Sequence, residues 1–532
     1  MDQKVVIKIG NFKSRIFGYL PDELMDELYD KLAFKKKNIE YSPKVMQGKW
    51  DGYSRLFNRT QKTFQTGLIS IVQNIIKKHG YSIEIDDQRI KPEQNRKWNL
   101  VLGDNIKSLY DFQQEAVYLS KKFSRGAFAI PTAGGKTLTF SAMIAEINTA
   151  PVIVYVPNLL LLYQTKEAIE KFLRDENGNP IEVGIVGDGQ CEIKDITIMT
   201  IQTAITAFDM EYDRNKDTII YLTPEQIQKK SESLNKKRKS KNSEEDPTLN
   251  EDLGFVIERK EVLKDLIKNV KMIICDEGHR VSSAIYQEVL KQSTLAYYRF
   301  VLSGTLRRED NTELLIQSIF GRKLLSLTCS DLIRRKDVKV VRPYIFMIDV
   351  PSFEESKNFS TYAQIRKHHI VESERRNYLI RDIALNACQY GPTLLLVSII
   401  DHGKILEKII PDSLFICSKT TKKQKQQALN DLMSGKRKIL IASPIIDEGL
   451  NLPDLKVLML CDSGKAANQL YQRVGRVVRE AENKSYGIVF DFKDKEDMLA
   501  KHAKRREELY LMEDEWVITH ISSNSFKSYK GS

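Results

Sequence analysis

A chain of 532 residues is longer than one hydrophobic core usually serves, so about three or four compact units are expected. A hydrophobic share of 42% and a charged share of 29% exclude a fibrous or disordered protein, and the absence of an apolar run of about twenty residues or of a signal-like start predicts a cytoplasmic chain with no membrane partner. The net charge of +12 favours a polyanion, nucleic acid first, and the six scattered cysteines, none in a CxxC pair, read as buried free thiols rather than disulfides or a zinc site.

In chain order, the first element is a segment of about 95 residues outside any repeating pattern. Within it, YSPKVMQGKWDGYSRLFNRTQKTFQTGL interleaves Tyr41, Trp50, Tyr53 and Phe57 with Lys44, Lys49, Arg55, Arg59 and Lys62. Aromatic faces among cations suit base stacking, which makes Lys49, Trp50 and Arg55 candidate nucleic-acid contacts; a small core with a basic rim accounts for the same composition. From about residue 105 to 495, apolar runs rich in Val, Ile and Leu alternate with amphipathic segments of helical length, the pattern of parallel α/β sheets. AFAI at 127–130, VIVYV at 152–156, ITIMT at 196–200, MIIC at 272–275 and FVLS at 300–303 form a first series. TLLLVS at 393–398, KILIAS at 438–443, KVLMLC at 456–461 and GIVFDF at 487–492 form a second, which predicts two separate sheets. The lysine-rich and serine-rich stretch at 229–253 has almost no apolar content and reads as a surface insertion, either a solvated loop or a nucleic-acid contact.

Two motifs carry chemistry by their context alone. PTAGGKT at 131–137 lies between an apolar run and a helical segment. Gly134 and Gly135 let backbone amides turn onto phosphate oxygens, the helix that follows adds its N-terminal dipole, Lys136 neutralises the β- and γ-phosphates, and Thr132 lines the same loop. Thr137 is the candidate magnesium ligand. Ile130 stands where the general phosphate-loop pattern has glycine, so only the second half of the signature is intact. DEGH at 276–279 follows MIIC directly, so both carboxylates leave the C-terminal end of a strand, where doubly wound sheets hold their ligands. Asp276 is expected to bind magnesium and Glu277 to polarise the water that attacks the γ-phosphate, which makes ATP and Mg2+ the expected nucleotide and metal.

From about 108 to 495 these motifs, with those that follow them in order, resemble the superfamily 2 helicases. The resemblance implies two RecA-like parallel-sheet domains in tandem, preceded here by a small N-terminal α+β accessory domain. LYDFQQEAV at 109–117 resembles the family's adenine-binding glutamine motif, with Gln113 the candidate and Gln114 its competitor. VPNLLLLYQ at 156–164 and TIQT at 200–203 resemble segments that grip the phosphodiester backbone, through Gln164, Thr200 and Gln202; helix capping or core packing explains each of these residues as well. The resemblance gives a coupling role to Ser303 and Thr305 of LSGTLRRED and to His279. In ASPIIDEGLNLP at 442–453, it implies that Ser443 meets the nucleic-acid backbone while Asp447, Glu448 and Gly449 face nucleotide and partner domain. QRVGRVVR at 472–479 is expected on a helix beginning near Ala467, with Arg476 and Arg479 on one face as arginine fingers for the γ-phosphate, supported by Gln472 and Arg473.

The GxWDG turn near Trp50, the segment HGK at 402–404 and the modest length are similar to phage recombination helicases of the UvsW type. That similarity implies a motor on branched or partly duplex DNA, in recombination, repair or replication restart; a monomer is the default expectation. The expected division is residues 1–95 as accessory domain, 96–325 as the first motor domain, 326–390 as a structured linker and start of the second half, 391–495 as the second motor domain, and 496–532 as a helical extension. Within that extension Arg505 and Arg506 either touch nucleic acid or face solvent. An RNA helicase, a motor subunit of a restriction or nuclease system, and a non-catalytic scaffold are the alternatives. The residues set against the last are Lys136, Glu277 and Arg479.

Overall fold

The computed structural model describes residues 4–35, 39, 43–102, 108–213, 218–226, 229, 259–304, 313–335, 337–351, 359, 361–443, 452, 454–462, 464–481 and 484–526. Residues 230–253 of the lysine-rich insertion, Thr305, Asp447, Glu448 and Gly449 lie outside the described residues, as does the side chain of His279. The chain divides into two compact units, Met1–Ile130 with Gly135–Ser326, and Pro131–Gly134 with Leu327–Ser532. Among the described residues no helix is long and apolar enough to cross a membrane.

The first unit opens with β1 (Lys4–Ile9), β2 (Lys13–Phe17), α1 (Asp22–Lys31), β3 (Ala33–Lys35), β4 (Tyr53–Arg55), β5 (Phe57–Asn58), β6 (Thr63–Gln65), α2 (Ile69–Lys78) and β7 (Ser82–Asp87). Five of the strands pair in the order β5-β6-β2-β1-β7. Alternation decides which face is covered: Val5, Ile7, Ile9 and Ile16 point inward with Leu24, Leu28, Val72 and Ile76 of the two helices, while Lys4, Lys8, Lys13 and Arg15 point out.

The motor part of this unit contains α3 (Asp111–Phe123), β8 (Arg125–Ala129), α4 (Lys136–Ile147), β9 (Val152–Val156), α5 (Leu159–Phe172), β10 (Val183–Gly187), β11 (Gln190–Glu192), β12 (Ile196–Thr200), α6 (Ile201–Thr206), β13 (Met272–Cys275), α7 (Ala284–Gln292), β14 (Tyr298–Ser303), α8 (Glu313–Phe320) and β15 (Lys323–Ser326). The strands form one sheet in the order β11-β10-β12-β9-β13-β14-β8-β15. It is parallel throughout except for the β10–β11 hairpin. Strands β8, β9, β12, β13 and β14 are buried along their whole length, as expected where helices cover both faces.

The N-terminal domain is docked on this sheet. Arg125, at the start of β8, donates to the carbonyl of Asn11 in the β1–β2 turn (2.9 Å), and Arg299 on β14 lies 5.7 Å from the Phe12 ring. Arg299 is fully buried and caps the end of α7, donating to the carbonyls of Leu290, Ser293 and Ala296. The Leu290 and Ser293 acceptors are orphan carbonyls of a helix C-terminus, which a cation suits; Ala296 lies in the loop beyond it. Gly67, between β6 and α2, packs so tightly on α8 that a Cβ there would fall 2.0 Å from the Gln317 carbonyl oxygen.

The second unit contains β16 (Arg342–Val350), α9 (Glu374–Ala387), β17 (Thr393–Leu396), α10 (Ile400–Ile409), β18 (Leu414–Ile416), β19 (Ile439–Ala442), β20 (Val457–Leu460), α11 (Ala467–Val477), β21 (Tyr486–Asp494), α12 (Asp497–Leu511) and β22 (Val517–Ser522). Its sheet is parallel, in the order β18-β19-β17-β20-β21-β16-β22. One expectation drawn from the sequence is corrected here, that of a purely helical extension after 495. Residues 326–390 contribute β16 to the interior of the sheet, and the region after 495 is not only helical, because β22 closes the sheet beside β16. Both strands escaped sequence reading because neither runs continuously apolar: β16 alternates buried with exposed residues along its first half, and β22, at the sheet edge, has only half-buried and exposed ones.

Candidate functional site

Three neighbouring parallel strands, β13, β14 and β8, end at one edge of the first sheet, and each hands the chain to one of the motifs read from the sequence. After β8 the chain passes Ile130, whose amide donates to the Ser303 carbonyl at the end of β14 (2.9 Å), and tightens into a 3-10 turn at Thr132–Gly134. Gly135 then takes the left-handed conformation (φ +71°), which reverses the backbone and starts α4 at Lys136. Almost all of α4 is buried on every side, so the helix that would present its N-terminus to a phosphate is fixed by the core around it.

A Cβ on Gly135 would lie 2.8 Å from Nε2 of Gln113. Gln113 is 1% exposed, and its Oε1 accepts the Tyr110 amide (3.0 Å), closing a capping box at the start of α3. The structure therefore brings Gln113 against the phosphate-type loop, whereas Gln114 donates outward to the Leu109 carbonyl (2.8 Å). Stacking of Tyr110 on Phe112, with centroids 5.6 Å apart, holds the same turn.

Lys136 is buried, with its Nζ 3.9 Å from Oε1 of Glu277. Asp276, also buried, extends β13, and its Oδ1 accepts the Glu277 amide (2.8 Å). This local bond accompanies a left-handed Glu277 (φ +53°), a conformation that costs a non-glycine residue of order 1–3 kcal/mol and marks a position held by its surroundings. A lysine, a strained glutamate, a buried aspartate and the half-buried Thr137 thus converge within one unit. The loop whose Gly135 has no room for a side chain and the lysine aimed at a carboxylate fit a nucleotide triphosphate with its magnesium ion. Backbone amides and Lys136 suit the phosphates, and the oxygens of Thr137 and Asp276 suit the metal.

The remaining candidates are distributed as follows. Thr200 ends β12 and is buried; its Oγ1 accepts the Thr203 amide (3.3 Å) and lies 2.8 Å from the Thr203 hydroxyl, so it serves as the N-cap of α6. Gln202 is exposed and Gln164 half-buried. Ser303 is fully buried at the end of β14, and Ser443, which follows β19, is buried with its amide on the Ile416 carbonyl (3.1 Å). Sequence reasoning passed over Tyr163, whose hydroxyl donates to Asp188 (2.6 Å) in the β10–β11 turn and accepts from Gln190 (3.2 Å). The signal was the GDG turn at 187–189, with Asp188 left-handed (φ +54°).

In the second unit α11 carries Gln472, Arg473 and Arg476, but ends at Val477. Arg479 lies past the helix in a bridge with Val340, so the expectation that Arg476 and Arg479 share one helical face is corrected. The helix stops because Val478 takes the cap position and the chain turns into backbone pairing with the strand-like stretch before β16. Arg473 and Arg476 are buried, Arg479 half-buried, and burial followed by the like charge of Arg476 holds Arg479 down at about 10, still charged at neutral pH. Arg506 is buried against Asp491 (2.8 and 2.9 Å), a bond that Tyr510 shares (2.8 Å), so neither solvent nor a ligand is its partner.

Around Trp50 the cations are largely committed within the protein. Arg55 pairs with Asp51, which it holds down at about 2, and lies 4.4 Å from the Tyr29 ring; Arg59 pairs with Asp26 (2.7 Å). Trp50 donates its indole N–H to the Tyr53 carbonyl (2.9 Å), Phe57 is part of the core, and Lys49 is exposed.

Three family descriptions match the chain: "DNA helicase UvsW, N-terminal" over residues 14–86, "Type III restriction enzyme, res subunit" over 104–308, and "Helicase conserved C-terminal domain" over 382–481. Helicase 22 of Sulfolobus islandicus filamentous virus is 27% identical over 49% of this chain and 49% of its own length, so the chain spans about half of that relative. The DNA 3'-5' translocase XPB2 of Sulfurisphaera tokodaii is 22% identical over 72% of this chain and 81% of its own. The ATP-dependent DNA helicase uvsW of Enterobacteria phage T4 is 22% identical over 90% and 89%.

Proposed function

The chain belongs to the superfamily 2 helicases of the UvsW type, and from that premise we propose that it is an ATP-driven DNA translocase acting on branched or partly duplex DNA, in recombination, repair or replication restart. The observation that carries this reading is the approach of Lys136 to Glu277 beside Asp276, on adjoining parts of one sheet edge, with Gln113 against Gly135. In this reading Gln113 recognises the adenine edge, while the amides of the 131–135 loop and Lys136 bind the phosphates. Glu277 takes a proton from the attacking water, and its left-handed backbone fixes the direction from which it does so. Thr137 and Asp276 would hold magnesium, which supplies positive charge to the phosphate oxygens when bound. Arg476 and Arg479 supply further charge to the γ-phosphate during turnover, the role of arginine fingers. Ser303, Thr305 and His279 couple hydrolysis to movement, and Gly449 is assigned to nucleotide binding.

The grip on DNA is assigned to Gln164, Gln202 and Ser443, with Thr200 shaping its own turn. Lys49 and Trp50 supply an accessory contact. Four relatives of this chain carry DNA in their names and one carries RNA, which favours DNA over RNA as the track. A phage-type helicase of this kind would act as a monomer in the host cytoplasm.

The test is phosphate release from ATP without nucleic acid and with single-stranded DNA, duplex DNA, a four-way DNA junction and matched RNA, beside the Glu277→Gln protein. Strongest stimulation by the junction is expected. Stimulation chiefly by RNA would replace the reading with an RNA helicase, and absence of turnover on every track would leave a nucleotide-fold scaffold.

A further inference from the structure

The outer face of the N-terminal sheet is charged in a way that sheet stability does not require. Register places Lys8 directly opposite Arg15 and Val6 opposite Phe17 across the β1–β2 ladder. Like charges directly opposite each other destabilise an antiparallel pair, and the neighbouring strand does the reverse: β7 sets Asp86 beside Lys8 (3.7 Å) and Glu84 beside Lys4 (2.7 Å). On the β2 side, Lys13 and Arg15 have no acidic partner among the described residues. Lys8 and Arg15 both lie 5.0 Å from the ring centroid of Phe17, which is 37% exposed. Thr63, the register partner of Arg15 on β6 and thus on the same face, keeps a buried hydroxyl with no hydrogen-bond partner.

We propose that this face, centred on Phe17 with Lys8, Lys13 and Arg15, binds single-stranded DNA. The occupant follows from the chemistry. Three cations within two adjoining strands complement a phosphate backbone, and an aromatic ring framed by them offers a face on which an unpaired base can stack. A duplex hides its base faces and leaves Phe17 without a partner. The proposal rests on the DNA-translocase reading and adds to the Lys49 and Trp50 contact a second one on the sheet face, where Lys13 and Arg15, unlike Arg55 and Arg59, are not paired with a carboxylate among the described residues.

The experiment uses the full chain and a deoxythymidine oligonucleotide, without nucleotide, in a salt series. Lys8→Ala/Lys13→Ala/Arg15→Ala is expected to weaken binding by roughly 10- to 100-fold near 0.1 M salt and to reduce the slope of log affinity against log salt by about 2. Its thermal midpoint checks that it folds. Phe17→Trp provides a second readout independent of charge removal: its added fluorescence, relative to the parent protein, is expected to be quenched by the oligonucleotide through stacking. Unchanged affinity and slope in the triple variant, or an added fluorescence unmoved at saturation, overturns the proposal; an equal loss for blunt duplex overturns the single-strand assignment. Wild-type protein whose phosphate release ignores DNA, while the oligonucleotide still quenches the added fluorescence of the Phe17→Trp variant, would sink the translocase reading and leave the sheet-face site standing.

Discussion

At the scale of single residues, position on a strand end and position on a backbone outlier coincide at Glu277, and that is where chemistry should be most sensitive. Glu277→Gln keeps the shape and one hydrogen-bonding oxygen but removes the base; ATP is expected to bind while turnover falls by roughly 100-fold or more, read as phosphate release against nucleotide binding. Arg479→Ala is expected to lower turnover by roughly 1,000-fold with little change in the unfolding midpoint, because the side chain is half-buried and lies beyond α11. His402 behaves differently. It is fully buried on α10, its Nε2 is 2.9 Å from Asn377 Oδ1, and burial, with the charges of Arg376 and Arg366, holds its pKa down at about 3. An unfolded histidine titrates near 6.5, so above that pH neither state is protonated and the residue is neutral in its effect. Below it the unfolded chain takes up a proton that the folded chain refuses, and stability drops by about 1.4 kcal/mol per pH unit. Urea midpoints between about pH 7 and 5 should therefore fall less steeply in His402→Gln than in the parent.

At the scale of elements, two glycines act through contact rather than through propensity. Gly135 joins β8 to α4 in a left-handed turn closed by Gln113, so Gly135→Ala meets both strain and a clash; loss of ATP affinity with a destabilisation of about 1–3 kcal/mol is expected from nucleotide titration and denaturant unfolding. Gly67 has an ordinary backbone, yet a methyl group there would run into the backbone carbonyls of Gln317 and Ser318 on α8. Gly67→Ala should loosen the N-terminal domain from the first motor sheet and make the chain between α2 and α3 newly sensitive to limited proteolysis, whereas an unchanged cleavage pattern would mean that the contact yields without separation. The glutamine motif is also an element-scale lesson: the sequence left Gln113 and Gln114 as competitors, and only the direction of α3 at its capped first turn separates them.

At the scale of the whole molecule, the N-terminal domain is a structural part of the first unit rather than a tethered accessory. Arg125 is buried and held well below its ordinary value, first by burial and then by the charges of Arg299 and Arg89, and the Asn11 carbonyl is its hydrogen-bond acceptor across the domain boundary. Removing residues 1–95 would take away that acceptor, the Phe12 ring beside Arg299 and the packing of Leu314 against the N-terminal core. Losing a hydrogen bond made by a charged group costs about 1.5–3 kcal/mol, and the lost packing adds to it, so the truncated motor is expected to unfold at lower denaturant, in addition to binding DNA less well. Truncation alone therefore cannot assign DNA binding to this domain, and point variants on its surface are the proper instrument.

The order of the strands in sequence, the loop at 131–137, the carboxylates after MIIC and the arginine-bearing segment were legible from residues alone, because fully buried parallel strands read as continuous apolar runs and catalytic groups follow their C-terminal ends. The tertiary structure decided what depends on distant neighbours. It set β16 and β22 beside one another across about 170 residues of chain, ended α11 before Arg479 by pairing the following backbone with Val340, and spent Thr200 on a helix cap. It also paired Arg55 and Arg59 with carboxylates at the surface and Arg506 with Asp491 in the core while leaving Lys13 and Arg15 open, a distinction invisible in composition because a cation's availability is settled by which acids the fold brings within reach.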